Sequence, residues 1–413
     1  MTLRQRCAVG MMILLAVTTC APVRPVTPTP TPTPTLTPAP PPTPPMPAYE
    51  PQPISIRVCA EGCDFVSIQA AINDPGTSAG DVITVTDAVH TEAGIQVHKD
   101  VTIQGLGAGR TTVQAHERLG DAPDRVFYIP EGATAEIKGM TIRHGHPHVY
   151  PQGGGGIANF GTLTVEKCVV RDNSANDGGG IFNHGTMTVL NSSVHDNLGD
   201  RIAPPGYECG SGGGIKNGFR STLTLENCTV AGNQALGKGG GLFVACEGTA
   251  TVTNCTISGN FAKRDGGGVH IKGAATFAHC TVAQNESSQT GGGIYLRGTL
   301  DWSNCLVANN HKQDVTIGGE GGYKGTGVMG VNDHNWVADD SCDSQYSGDP
   351  MLGPLADNGG DALTHALLPG SPAIDLIPAS ACSLPYDQRG QSRPIQVGSG
   401  LPVCDVGAFE WQP

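Results

Sequence analysis

His270, Lys272, Tyr295 and Arg297, on two neighbouring repeat units, combine the side chains needed to remove a proton next to a carboxylate. Cations such as Lys272 and Arg297 would neutralise the carboxylate, and His270 and Tyr295 would serve as base and acid. That is lyase or epimerase chemistry on a uronate-containing chain. Phe182, His184, Lys216 and Phe243 extend the row with aromatic faces and another cation, suited to stacking sugar rings and holding carboxylates. Glycoside hydrolysis would instead need two carboxylic acids about 5 to 10 Å apart, and these rows contain none. Aromatic and basic residues on a sheet face also serve as plain cross-strand ladders, so a purely structural surface stays open.

The row exists only if the chain repeats. A glycine triplet followed by an aliphatic residue recurs at Gly154–Ile157, Gly178–Ile181, Gly212–Ile215, Gly239–Leu242, Gly266–Val269 and Gly291–Ile294. Each first glycine is followed 14 or 16 residues later by Cys168, Ser192, Cys228, Cys255, Cys280 or Cys305, an even difference that preserves strand parity. Five residues further on stand Asn173, Asn197, Asn233, Asn260, Asn285 and Asn310. Units of 24 to 27 residues, one of them lengthened by about ten through an insertion, leave no room for a helix, and runs such as Thr162-Leu163-Thr164-Val165 alternate as strands do. Winding short strands into coils stacked about 4.8 Å apart turns each repeated position into a column. The expected fold is all-β: a single-stranded right-handed parallel β-helix of about ten coils, with a short N-terminal cap helix and a loop-rich C-terminal cap. If the aliphatic after each triplet faces in, the next residues face out: Ala158, Phe182, Lys216, Phe243, His270 and Tyr295. A second outward row holds Phe160, His184, Ala245, Lys272 and Arg297, and an insertion over 198–210 could wall the groove.

Outside the repeats the composition changes. Fifteen of the 31 prolines crowd into the first 53 residues, whereas all but one of the 59 glycines follow them. Residues 1–20 carry Arg4 and Arg6 and then an apolar stretch too short to span a bilayer, as a secretory signal does. Residues 21–53, with TPTPTPTPTLTPAPPPTPP at 27–45, lack the amide donors for helix or sheet and read as a stalk in polyproline II conformation. The net charge of −13, with no Lys/Arg run, argues against nucleic acid as a partner, so a polyanionic partner would need a local basic patch. Segment 65–72 has helical spacing and precedes the strand-like 80–85, so it is expected to cap the open end of the coils. This divides the chain into 1–20, 21–53, a β-helix over 54–337 and a cap over 338–413.

Several segments carry resemblances. LAVTTC at 15–20 resembles a bacterial lipobox, which implies acylation of Cys20 and a membrane link through a lipid anchor only; Thr19 departs from that pattern. Segments 67–72 and 80–85 resemble the start of pectin-lyase-like β-helices, and the triplet units resemble those of polymorphic outer-membrane proteins. The C-terminal GDPMLGPLADNGG at 348–360, THALLPGSPAID at 364–375, DQRG at 387–390 and CDVGAFE at 404–410 resemble the choice-of-anchor Q domain proteins of bacteria. The resemblance implies surface display on a β-helix and no single reaction.

Fourteen cysteines in an exported chain invite disulfides, yet those of the repeats occupy one inward position and are expected to be buried thiols. Cys59 with Cys63, and Cys382 with Cys404, lie in loop-rich segments and are the better disulfide candidates. No metal site is expected. His144, His146 and His148 have no second ligand set at zinc spacing, and Asp333, Asp339, Asp340, Asp343 and Asp349 offer oxygens suited to calcium but match no known loop, so they read as structural. The expectation for function is a cell-surface or secreted protein that binds extracellular polysaccharide, acidic in character, or acts in adhesion. Its rivals are a lyase or epimerase and a purely structural surface protein.

Overall fold

The structure, a computed structural model, describes residues 53–148, 153–200, 211–318, 327–395 and 400–412. The leader over 1–20 with Cys20, the stalk up to residue 52, and the tip of the 198–210 insertion lie outside the described residues.

Alternation builds the coils as the repeat predicts. The strand Thr162–Glu166 exposes Thr162, buries Leu163 and Val165, and leaves Thr164 and Glu166 half-buried. It pairs in parallel and in register with Thr186–Leu190, which pairs with Thr222–Glu226. Continued along the chain this gives sheets of eleven, ten and nine strands, and a short five-stranded sheet at one corner, with successive coils always adjacent. The result is a right-handed parallel β-helix. Inward columns such as Ile157, Ile181, Ile215, Leu242, Val269 and Ile294 are fully buried, each aliphatic contributing about 1.5 to 3 kcal/mol.

Two corners of each coil are fixed by residues in the left-handed region. Lys167, Asn191, Asn227, Asn254, His279 and Asn304 have φ of 48 to 57° and immediately precede the Cys/Ser column. Asp172, Asp196, Gly232, Gly259, Gln284 and Asn309, with φ of 53 to 62°, precede the asparagine column. The chain turns sharply there, and the next side chain ties the corner to its neighbour. Asn233 Nδ2 donates to Asn260 Oδ1 at 3.0 Å, and Asn260 Nδ2 donates to Asn285 Oδ1 at 2.9 Å. A second ladder, Asn159 to Asn183 to Asn217, has 2.8 Å links. Along the small column the Cys228 amide meets Cys255 Sγ, and the Cys280 amide meets Cys305 Sγ, at 3.4 Å. Cys168, Cys228, Cys255, Cys280 and Cys305 are free, buried thiols.

At the N-terminal end the helix is shorter than its spacing suggests. It runs Ile68–Asn73, with Ser67 as its N-cap. Glu92 accepts from the Ser67 hydroxyl and from the amides of Ile68 and Gln69, fastening the cap to the coils. Phe65 lies outside the helix and bridges to Val58. A disulfide joins Cys59 to Cys63 across a Cα separation of 5.5 Å.

The C-terminal segment is loop-rich, as expected, but its reach is longer than a cap over the last coil. Val337 and Cys342 pack on the end of the main core. The chain then returns along the outer face of the ten-stranded sheet as a strap. Thr229 Oγ1 donates to the Leu363 carbonyl at 2.6 Å, Asn254 Nδ2 to the Tyr386 carbonyl at 2.9 Å, and Asn304 Nδ2 to the Ala381 carbonyl at 2.9 Å. Gln388 joins Thr229 and Thr256 at 3.0 and 2.6 Å. A second small core, with Leu306, Trp336, Ile377 and Phe409, holds the strap down. Cys382 and Cys404 are disulfide-bonded with Cα atoms 6.1 Å apart. Arg393 is fully enclosed between Glu410, at 3.0 Å, and His279.

Candidate functional site

The nine-stranded sheet carries the chemistry-bearing row. Each of its three-residue strands follows a glycine triplet, and the register runs Ala158, Phe182, Lys216, Phe243, His270, Tyr295 without a slip. The residues predicted to share one column do so. They do not, however, face solvent: Lys216 is 6% exposed, Phe243 and His270 0%, and Tyr295 2%. Alternation distinguishes inside from outside the coil core, but it says nothing about what lies on the outer face. Here the triplet backbone itself lies there. The first glycine takes φ of 66, 71 and 63° at Gly239, Gly266 and Gly291, and a Cβ at those positions would stand 2.8 to 2.9 Å from the Cβ of Phe243, His270 and Tyr295. Only glycine can approach that column so closely.

The row divides into an enclosed half and an open half. In the enclosed half, the His270 ring stacks between Phe243, with centroids 5.1 Å apart, and Tyr295, 4.9 Å apart. Neither of its ring nitrogens makes a hydrogen bond among the described residues. Burial, reinforced by the positive charges of Lys238, Lys272 and Arg297, holds the imidazole well below its usual pKa, so it is neutral at physiological pH. Lys216 pairs with Asp177 at 3.0 Å, and Lys238 with Asp265 at 3.7 Å, both pairs largely buried. The sequence reading missed Asp177, Lys238 and Asp265, although each stands immediately before a triplet and could have been found by that offset.

The open half begins at Tyr128. Its ring meets Phe160 at 5.5 Å, Phe160 meets His184 at 5.4 Å, and His184 stacks on Phe182 at 5.9 Å with planes 8° apart. Lys216 Nζ lies 5.4 Å from the Phe182 centroid. Phe182 itself is nearly covered, while Tyr128 and Phe160 are half-buried and His184 is exposed. A cavity of about 150 Å³ opens among Phe182, His184, Lys216, Phe219 and Ala245. Phe219, 46% exposed, was not singled out from sequence because it follows the repeat in a turn. Lys272 and Arg297, two residues beyond His270 and Tyr295, are half-buried and sit at the rim. The four residues read as a catalytic group are thus neighbours in space but unequal in access: the cations reach the rim, and the imidazole and phenol lie beneath it.

The three histidines at 144–148 are used locally. His144 contacts the His116 carbonyl at 3.0 Å, His148 the Ala122 carbonyl at 3.1 Å, and His146 the Ser174 hydroxyl. No group of three or more His, Cys, Asp or Glu suited to a metal ion occurs among the described residues.

Residues 124–311 match the family model described as "Right handed beta helix region". No curated protein matches the chain. Among solved structures, pectate lyase Pel9A superposes with a TM-score of 0.54 at 14% identity, covering 88% of this chain and 98% of that one. The pectin methylesterase from Aspergillus niger gives 0.41 at 10% identity over 75% and 93% of the two chains. The A-module of the Azotobacter vinelandii mannuronan C-5 epimerase AlgE6 gives 0.30 at 14% identity over 68% and 92%. At such identities the likeness establishes the fold alone. The chain is a right-handed parallel β-helix similar in fold to pectate lyase, and residues 124–311 carry the sequence pattern of the right-handed β-helix region.

Proposed function

We propose that the protein binds an extracellular polysaccharide of acidic character, displayed at or released from a bacterial surface, along the open half of the nine-stranded sheet. The carrying observation is the run of accessible rings, Tyr128, Phe160, His184 and Phe219, with Lys272 and Arg297 at the rim of the same face. Rings set along coils about 4.8 Å apart can stack on successive sugars, and rim cations attract carboxylates that the rest of this acidic chain repels. The pectate that gives its fold relative pectate lyase Pel9A its name accords with this reading. So does the anchoring implied by the lipobox-like leader, the stalk and the choice-of-anchor Q resemblance. Lyase or epimerase action is the second reading, favoured by the neutral His270 beside Tyr295, Lys272 and Arg297. Enclosure of His270 and Tyr295 makes binding the stronger of the two. Affinity electrophoresis through gels containing pectate, alginate or a glycosaminoglycan tests it: retarded migration with no ultraviolet-absorbing unsaturated product supports binding. Product formation supports the lyase, and unretarded migration in every gel overturns the proposal.

A further inference from the structure

The ten-stranded sheet carries a second constellation, independent of the glycan-binding reading. Its outward row runs His195, Ala231, Ser258, Ala283, Ala308, so Ser258 stands between small neighbours. The strap crosses this row. Its strand Thr364–Leu367 pairs antiparallel with Leu352–Ala356 and places His365 over Ser258. Ser258 Oγ lies 2.8 Å from His365 Nε2, and His365 Nδ1 lies 2.8 Å from the Gly353 carbonyl. A carbonyl only accepts, so the ring proton resides on Nδ1 and the Nε2 lone pair faces the serine hydroxyl. Burial holds this imidazole below its usual pKa and keeps it neutral. Both side chains are enclosed by the strap, each 1% exposed, but Ser258 borders a cavity of about 420 Å³ that is lined also by Ser193, His195, Thr229, Leu355 and Leu363. A hydrogen bond that only pinned the strap would need no such space beside the hydroxyl. The two leucines form an apolar wall, and His195, paired with Asp196 at 2.8 Å, supplies a polar one.

We infer that Ser258 and His365 form a nucleophile–base pair that hydrolyses short-chain acyl esters, with the acyl group against Leu355 and Leu363. Ser258 Oγ bonds to the acyl carbonyl carbon as its proton passes to His365 Nε2, and the carbon–oxygen bond to the alcohol breaks as His365 returns that proton to the leaving oxygen. Water, activated by the same nitrogen, then adds to the acyl carbon; the ester to Ser258 breaks, the free acid departs, and the serine recovers its proton. The Gly353 carbonyl orients the imidazole in the place where a carboxylate stands in a triad.

The test is labelling of the intact protein with a fluorophosphonate reporter, peptide mapping by mass spectrometry, and hydrolysis of 4-nitrophenyl acetate. The expected result is one label, on the peptide holding Ser258, and ester hydrolysis that falls on the order of 10³-fold in Ser258→Ala and in His365→Gln. The glutamine keeps a side chain able to bridge Gly353 and Ser258, and a thermal midpoint near that of the unaltered protein separates lost chemistry from a loosened strap. Mapping the label in the unaltered protein stands even if a variant does not fold. Absence of label, a label on another residue, or full hydrolysis by a folded Ser258→Ala protein would each overturn the inference.

Discussion

Replacing Asn260 by alanine cuts the asparagine ladder in its middle. Asn260 Oδ1 accepts from the Asn233 amide and from Asn233 Nδ2, both at 3.0 Å, while its Nδ2 donates to the Val230 carbonyl and to Asn285 Oδ1, both at 2.9 Å. All four bonds vanish together. Asn233 Nδ2 keeps its bond to the Val194 carbonyl, and Asn285 Oδ1 keeps the Asn260 amide, so the neighbours are weakened and not stripped. At about 1 kcal/mol net for each buried bond, the loss is about 4 kcal/mol, with the Asn233 amide left buried and unpaired. Chemical denaturation followed by circular dichroism measures it, against Thr222→Ala, an exposed position on the eleven-stranded sheet where the change should stay within about 0.5 kcal/mol. A loss below about 1 kcal/mol for Asn260→Ala would refute the reasoning, because the ladder would then merely accompany the stacking.

Burial pushes the Cys168 thiol up to about 12 and raises Cys255 and Cys305 well above the usual value, so iodoacetamide at mild alkaline pH should leave the column unmodified until the protein unfolds; rapid native alkylation would contradict this. Strap docking should be bell-shaped in pH: burial raises Asp405 from 3.8 to about 6 and Glu410 from 4.5 to about 8, so their contributions are lost as pH rises through those windows, whereas burial beside Arg393 lowers His279 from 6.5 to about 2, so its contribution is lost as pH falls through that one, leaving the maximum at about pH 4. Proteolysis of the 352–411 region reads this, and protection that is flat from acid to alkaline pH would count against it. On the open face, His184→Ala combined with Phe219→Ala should weaken glycan binding about 10-fold in affinity electrophoresis. His270→Ala should leave that binding within about twofold while lowering stability by about 3 kcal/mol; the reverse pattern would move the site to the enclosed half.

The coils were legible because repetition is written in the residues themselves. Triplet, small residue and asparagine recur at offsets that differ only by an even number, and period-two alternation assigns each a side of the strand. The second ladder was equally available, since Asn159, Asn183 and Asn217 each stand five residues after their first triplet glycine. Burial of the Phe243–His270–Tyr295 stack was not, because the approach of the triplet backbone to that column depends on bend geometry that alternation does not encode. The strap was hidden for another reason. Gln388, His365 and Arg393 reach coils more than a hundred residues earlier through polar contacts that follow no period. Among the candidate site residues, the sequence could group Lys272, Arg297, His270 and Tyr295 on neighbouring coils, but it could not rank them by access.

Both proposed sites exist only if successive units stack as coils, and a distance between two of those units tests that directly. Thr162 and Thr299 occupy the same exposed position on coils five rungs apart. Nitroxides on ketone-bearing residues introduced at 162 and 299, which spare the native thiols, allow electron double resonance to measure their separation. The predicted backbone separation is about 24 Å, five steps of about 4.8 Å, with a narrow distribution widened only by the label arms. A broad distribution, or one centred beyond about 40 Å, would mean that the units do not pile upon one another and would remove both proposed sites.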